Sequence, residues 1–210
     1  THQKRLYGLL PEYGYTPSPL EDPAVEIVST LFQSDKDQIT VDNKLYNVAS
    51  LAADTNYLKI VPIPILKTSR NKLLENPQDA IISEDLSRLV FGKEDPIGQQ
   101  ITTSMGKIVT VVAVMGKPNT RFSMPFDLLI SNESVNYRKY SMPHSLVKLH
   151  KGHSAASVNK EYEAFRKMSN FTNRLRICFY PLQKLYFDQQ VVTYLDKRLV
   201  GNYTHVLILI

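Results

Sequence analysis

The chain has no tryptophan, one cysteine and only 8 glycines among its 210 residues. Cys178 stands alone, which excludes an intrachain disulfide and any cysteine-based zinc site. It lies in Leu175-Arg176-Ile177-Cys178-Phe179-Tyr180, which alternates like a strand, and so reads as a buried structural thiol. A single cysteine fits a reducing compartment and equally a bacterial envelope protein, so it does not fix the compartment. No stretch approaches the ~18–20 apolar residues of a membrane-spanning helix. No basic start leads into an apolar segment, so no signal peptide is visible. A phosphate-binding loop is also missing. Gly92-Lys93, Gly106-Lys107 and Gly116-Lys117 lack the upstream glycine and downstream Ser/Thr of a P-loop and read as turn glycines. Nor is there a Gly-x-Ser-x-Gly, His-Glu-x-x-His or EF-hand pattern.

Charge is equally unspecific. The 25 Lys and Arg exceed the 20 Asp and Glu by five, giving +5. The basic residues fall in scattered pairs: Lys4-Arg5, Arg70/Lys72, Arg138-Lys139, Arg166-Lys167, Arg174/Arg176 and Lys197-Arg198. Arg174-Leu175-Arg176 beside Phe171, Phe179 and Tyr180 has the elements of a base-stacking platform. Without a basic stripe, no nucleic-acid partner is expected. Lys4-Arg5 and Lys197-Arg198 suit lipid headgroups near both termini. His144, His150 and His153 form the one histidine cluster, but no carboxylate is close in sequence before Glu161, so no metal site is assigned. Glu84-Asp85 and Glu94-Asp95 read as helix-start and turn residues rather than an acid–base pair. No catalytic residue, cofactor-binding residue or metal ligand is therefore named. Asn132-Glu-Ser134, Asn170-Phe-Thr172 and Asn202-Tyr-Thr204 match a glycosylation acceptor pattern that is common by chance.

What is present is a core. Hydrophobic residues are 43% and charged residues 21%, which excludes a disordered polyelectrolyte. Residues 1–23, rich in proline, read as an irregular entry segment. Ala24–Phe32 alternates like a strand, Ser34–Gln38 reads as a polar turn, and Ile39–Val41 and Lys44–Val48 flank an Asp42-Asn43 hairpin turn. Asp54 is a candidate cap for a helical turn over 53–60, which Pro62 and Pro64 end. Asp79–Ile82 is a short strand. A helix follows, with Ser83 as N-cap, Glu84 and Asp85 in its first turn, Gly92 as its stop, and Leu86, Leu89 and Val90 as its apolar face. Asp95-Pro96-Ile97-Gly98 is a turn. The strands at 100–104 and 107–114 meet at Met105-Gly106, and the second is apolar on both faces, as a covered central strand is. Further strands are expected at 126–130, 145–149 and 174–180. A helix is expected from Ser154 to Asn170, with Ala155, Val158, Tyr162 and Phe165 on one stripe. This order is α+β rather than regular βαβ alternation.

The run Ala80–Gly98, containing Ser83-Glu84, Phe91-Gly92 and Asp95-Pro96-Ile97-Gly98, followed by Val109–Val114, resembles one family. It is similar to the MacB-like periplasmic core domain of FtsX-like ABC transporter permeases, closest to those of Bacteroidetes-type bacteria. Ala113 stands where the family usually has glycine. Ala53-Asp54-Thr55-Asn56-Tyr57-Leu58 resembles a further family segment, although the glycine of the "Leu-x-Gly" element that follows it there is not evident near Leu66-Lys67. Pro181-Leu182-Gln183-Lys184-Leu185-Tyr186-Phe187 resembles a late one.

The resemblance implies a porter-like βαβ subdomain built from both chain ends, residues 1–78 and 136–205, plus a small inserted α/β subdomain at 79–135. It places the domain between two membrane helices. Val206–Ile210, five consecutive aliphatics, would be the start of the second helix, with residues 1–6 and 199–210 the mechanical attachments. It implies a non-catalytic domain without cofactors, on the periplasmic side of the bacterial inner membrane. The expected partners are an ABC ATPase reached through the membrane helices, a permease dimer mate, and a periplasmic adaptor or substrate. Two rival readings start from composition. A surface carbohydrate- or peptide-binding module would explain the 12 Tyr and 8 Phe. A small hydrolase would need a nucleophile motif that is not there.

Overall fold

The computed structural model describes residues 23–117, 126–134, 144–160 and 181. The expected strand with Cys178, the helix beyond residue 160, the element beyond Pro181, the sequons at Asn170 and Asn202, and Val206–Ile210 lie outside the described residues.

The chain divides into two compact units, one of Ile27–Arg121 with Pro125–Lys148, the other of Thr1–Glu26, Phe122–Met124 and Leu149–Ile210. The larger unit is built on strands β1 (Val25–Val41, from Ile27 onward), β2 (Lys44–Ala53), β3 (Ile65–Thr68), β4 (Asp79–Ser83), β5 (Gln100–Thr103), β6 (Ile108–Met115), β7 (Leu128–Ser131) and β8 (His144–Leu149). Two helices, α1 (Tyr57–Ile60) and α2 (Glu84–Phe91), complete the described elements of this unit, with a 3-10 turn at Asn132–Ser134. β1 and β2 pair into the same sheet as β4 to β7, all within this unit.

The pairings run in a circuit. β1 pairs with β2 antiparallel, β2 with β7 parallel, β7 with β4 antiparallel, β4 with β6 parallel, and β6 with β5 antiparallel. β5 then returns to β1 through Ile39↔Thr103 and Thr40↔Thr102. β3 lies beside the second half of β6, and β8 lies next to β1. Side chains alternate across a strand, so a closed circuit has one inner and one outer face. Phe32, Ile39, Val41, Val48, Ala52, Ala80, Ile82, Ile101, Val109, Val111, Val114, Leu128 and Ile130 fill the interior, with Leu86 of α2. Leu31, Leu51, Ala53, Ile81, Ala113 and Leu129 are equally buried outside it. The sequence reading of β6 as a strand covered on both faces therefore holds.

Local chemistry explains most of the turns. Asp42 and Asn43 both take positive φ, +48° and +63°, as a two-residue hairpin of primed type requires. Gly106, at φ +73°, closes the β5–β6 hairpin, with its N–H donating to Thr103 O at 2.8 Å. Two expectations are corrected. Ser34–Gln38 is not a turn. β1 continues through it, with Ser34 facing Ser50 and Asp37 facing Val48, so one extra residue is taken up as a bulge. β6 has a similar slip beside Val112, so its interior face runs through Val109, Val111 and Val114. On α2, Leu86 is buried and Val90 and Phe91 pack on the core, but Leu89 is 65% exposed. It is turned about 60° from Leu86 around the helix, on the flank away from Val90, which is enough to bring it into solvent.

In the smaller unit, Ser154 starts a helix as expected. Its Oγ accepts from Ser157 N at 3.2 Å, Ser157 Oγ accepts from Ser154 N at 3.0 Å, and helical backbone runs over 155–160 with Val158 buried. His150 N donates to Ala24 O at 2.9 Å.

Ile130 has no exposed surface and packs inside the circuit against β2 and β4 partners. Ile130→Ala is expected to cost about 2–5 kcal/mol of stability. Urea unfolding of the domain checks this, and a loss under about 1 kcal/mol would mean the interior is not packed as described.

Candidate functional site

The corners of the segment Ser83–Gly98 are held by side-chain caps at Ser83 and Asp95 and by glycines of positive φ at Gly92 and Gly98. Ser83 Oγ accepts from Leu86 N at 3.0 Å, capping α2, and donates to Asp127 Oδ1 at 3.2 Å. Ser83 N donates to Asp127 O at 2.7 Å. Helix start and β7 entrance are thus fixed together. Gly92 takes φ +64° at the helix end, and its N–H donates to Arg88 O at 3.1 Å. Asp95 Oδ1 accepts from Ile97 N at 3.0 Å, folding Asp95-Pro96-Ile97 into an Asx turn. Gly98, at φ +87°, leads the chain into β5 and ties it to β6, its N–H donating to Val111 O at 2.8 Å. The order Asp-Pro-Ile-Gly is thus a set of backbone requirements: an acceptor, a fixed φ and a left-handed residue.

A second cluster holds β1 beyond its last pair with β2. Thr30 N donates to Asp54 Oδ2 at 3.0 Å, Asn56 Nδ2 to Val28 O at 3.0 Å, and Asn132 Nδ2 to Thr30 O at 3.3 Å. Asp54 Oδ1 also accepts from Asn56 N at 3.0 Å. Asp54 therefore ties the approach to α1 to β1, while the N-cap of α1 is Asn56 rather than the expected Asp54. Asn132 was noted as a possible glycan acceptor. Its amide nitrogen, the atom a glycan would need, is engaged with β1.

Among the described residues two carboxylates are buried. Asp79 pairs with Arg70 Nη1 at 2.9 Å and accepts from Asn76 N at 3.2 Å, closing the loop between β3 and β4. Asp37, turned inward by the β1 bulge, accepts from Ser50 Oγ at 2.6 Å, from Ser104 Oγ and from Gln38 N at 2.8 Å. Sequence reading missed Asp37, because a Ser-Asp-Lys-Asp-Gln run looks solvated until β2 and the β5–β6 hairpin supply the hydroxyls. Among the described residues no histidine bonds to Ser50 or Ser104. Ser50 is also fully buried, out of reach of a substrate. These groups fix structure.

The remaining sequence candidates are not brought together. Backbone of His150 and His153 forms a turn, His153 N donating to His150 O at 3.2 Å, and both residues are exposed. Among the described residues no group of three or more His, Cys, Asp or Glu is placed to hold a metal ion. Asp85 pairs with Arg88 and, at 3.0 Å, with Lys117. Asp95 pairs with Lys67 at 2.6 Å. Hydrogen bonds from Lys117 and then Arg88 hold the Asp85 carboxyl below its ordinary pKa. The Lys67 hydrogen bond, then the Ile97 amide, does the same for Asp95.

The described residues thus define an α+β domain whose polar side chains hold its shape. The chain belongs to the family of MacB-like periplasmic core domains, whose model matches residues 10–165. Domains of this family are the periplasmic parts of ABC transporter permeases. No curated protein matches the chain. Solved structures share the fold. A domain of a protein described as a permease, from Porphyromonas gingivalis, is 21% identical with a TM-score of 0.59, covering 70% of this chain and 72% of its own. The periplasmic region of MacB from Actinobacillus actinomycetemcomitans is 13% identical with a TM-score of 0.56, covering 73% and 72%. The extracellular domain of the ABC-type transporter YknZ from Gram-positive bacteria is 15% identical with a TM-score of 0.55, covering 72% and 80%. No helix among the described residues is long and apolar enough to cross a membrane.

Two predictions follow from this geometry. Ser83→Ala removes the α2 cap and the tie to Asp127, and is expected to cost about 1 kcal/mol in urea unfolding. The pH prediction concerns Asp85 and Asp95. A carboxyl with a depressed folded pKa adds stability that is fully present above its unfolded value, about 4. That stability is lost as pH falls through the folded value. The stability difference between the native protein and the double variant D85N/D95N should therefore shrink as pH drops below about 4. A difference independent of pH there would contradict the ion pairing.

Proposed function

We propose that this chain is the extracytoplasmic part of an ABC transporter permease that passes ATP-driven motion of the membrane helices to a periplasmic substrate or partner. The observation that carries this reading is the family match over residues 10–165, which spans the Ser83–Gly98 corner described above. The domain itself catalyses nothing. A fused or separate ATPase binds nucleotide on the cytoplasmic side, and the chain works beside a second permease copy in the inner membrane, with a periplasmic adaptor or substrate as its outer contact.

In this reading the unit made from both chain ends is the porter-like piece and the larger sheet unit is the insertion. Function requires a coupling free energy between nucleotide state and domain pose. The rival binding-module reading rested on aromatic content. Part of that content lies in the core, where Phe32 and Tyr57 are almost fully buried.

Cross-linking the domain to its dimer mate in the full transporter is expected to leave ATP hydrolysis running while transport stops. Unaltered transport by the cross-linked pair would refute the mechanical role. A gene in which polar sequence or a stop codon follows Ile210 would refute the membrane attachment.

A further inference from the structure

Ser29 and Tyr57 are both fully buried, and neither hydroxyl has a hydrogen-bond partner among the described residues. Buried hydroxyls are ordinarily paired, so two orphans on neighbouring segments call for an explanation. The segments are neighbours by direct hydrogen bonds. Val28 and Thr30, on either side of Ser29, are held by the side chains of Asn56 and Asp54 at 3.0 Å each, and Tyr57 follows Asn56. Ser29 shares its face of β1 with Leu31, on the covered outer side of the sheet. The Tyr57 ring meets Phe126 edge-on, with centroids 6.2 Å apart.

The other polar groups of this corner are already engaged. Asp54 uses Oδ1 for Asn56 N and Oδ2 for Thr30 N. Asn56 uses Nδ2 for Val28 O and Oδ1 for Lys59 Nζ. Two neutral hydroxyls remain. Burial pushes the Tyr57 phenol above its ordinary pKa, so it stays a protonated donor. A charged ligand would find no compensating charge in such a pair. A water molecule, which donates and accepts and needs two to four polar partners, matches it.

We infer that Ser29 Oγ and Tyr57 Oη together bind one buried water between β1 and α1. The hydroxyls are then coupled through a shared partner. Ser29→Ala and Tyr57→Phe each preserve shape and remove one hydroxyl. Each is expected to lower the urea midpoint of this chain. In the double variant, the change in unfolding constant should differ from the product of the single changes by about twofold or more. A high-resolution crystal structure of the native chain should show one ordered water in hydrogen-bond contact with both oxygens. Strictly multiplicative effects, or a midpoint raised by Tyr57→Phe, would overturn the inference. So would a direct bond between the two hydroxyls, or density empty of water at this corner.

Discussion

Two residue pairs, Ile39 with Thr103 and Thr40 with Thr102, turn an open sheet into a ring. Without them β5 and the end of β1 around Ile39–Val41 would be edges, with unpaired backbone N–H and C=O groups. With them the inner face becomes a sealed apolar volume, to which each of the six strands contributes. The same closure places the β5–β6 hairpin over the β1 bulge, where Ser104 reaches Asp37. A carboxylate at that position needs donors, since an unpaired buried charge is costly. Ser50 and Ser104 come from different strands, so the buried acid serves as a test of register. A slip of β2 or β5 by one residue would remove one of its hydroxyls.

The structure also uses side chains where a strand runs out. Beyond Leu31 and Ala53 the pairing of β1 with β2 ends. Asp54, Asn56 and Asn132 then take over its backbone groups at Val28 and Thr30. The same device recurs at Ser83 and Asp95, where hydroxyl and carboxylate satisfy the free N–H groups of a helix start and a turn. The family pattern in this chain is therefore physical before it is functional. Its polar positions mark the corners at which backbone hydrogen bonding would otherwise fail.

That distinction explains what the sequence made legible. Asp42-Asn43, Ser83, Gly92 and Asp95–Gly98 were readable because each is a local requirement, met within four residues. The ring was not readable, because Thr40 carries no mark that it will meet Thr102. Ser34–Gln38 was misread for the same reason. Its polarity is that of a turn, and only β2 and the β5–β6 hairpin make it an inward bulge. Leu89 was assigned to the apolar face of α2 by its spacing from Leu86, whereas Val90, one turn from Leu86, shares the buried side. The candidate site followed the same division. The helix start and turn were expected, while Asp37 and the Asn132 bond depend on residues far away in the chain.

The parallel pair of β2 with β7 has a consequence for how the molecule is made. Ser50 must wait for Leu128, and β1 must wait for β5, before the ring can close. Such long-range pairings impose their loop-closure entropy before any contact rewards it, which puts the domain among slow folders. A chain emerging on the far side of a membrane would stay open at the β1 and β2 edges until its later strands arrived. Until then its exposed strand edges are targets for other chains, so a holding chaperone would matter most between the appearance of β2 and that of β7.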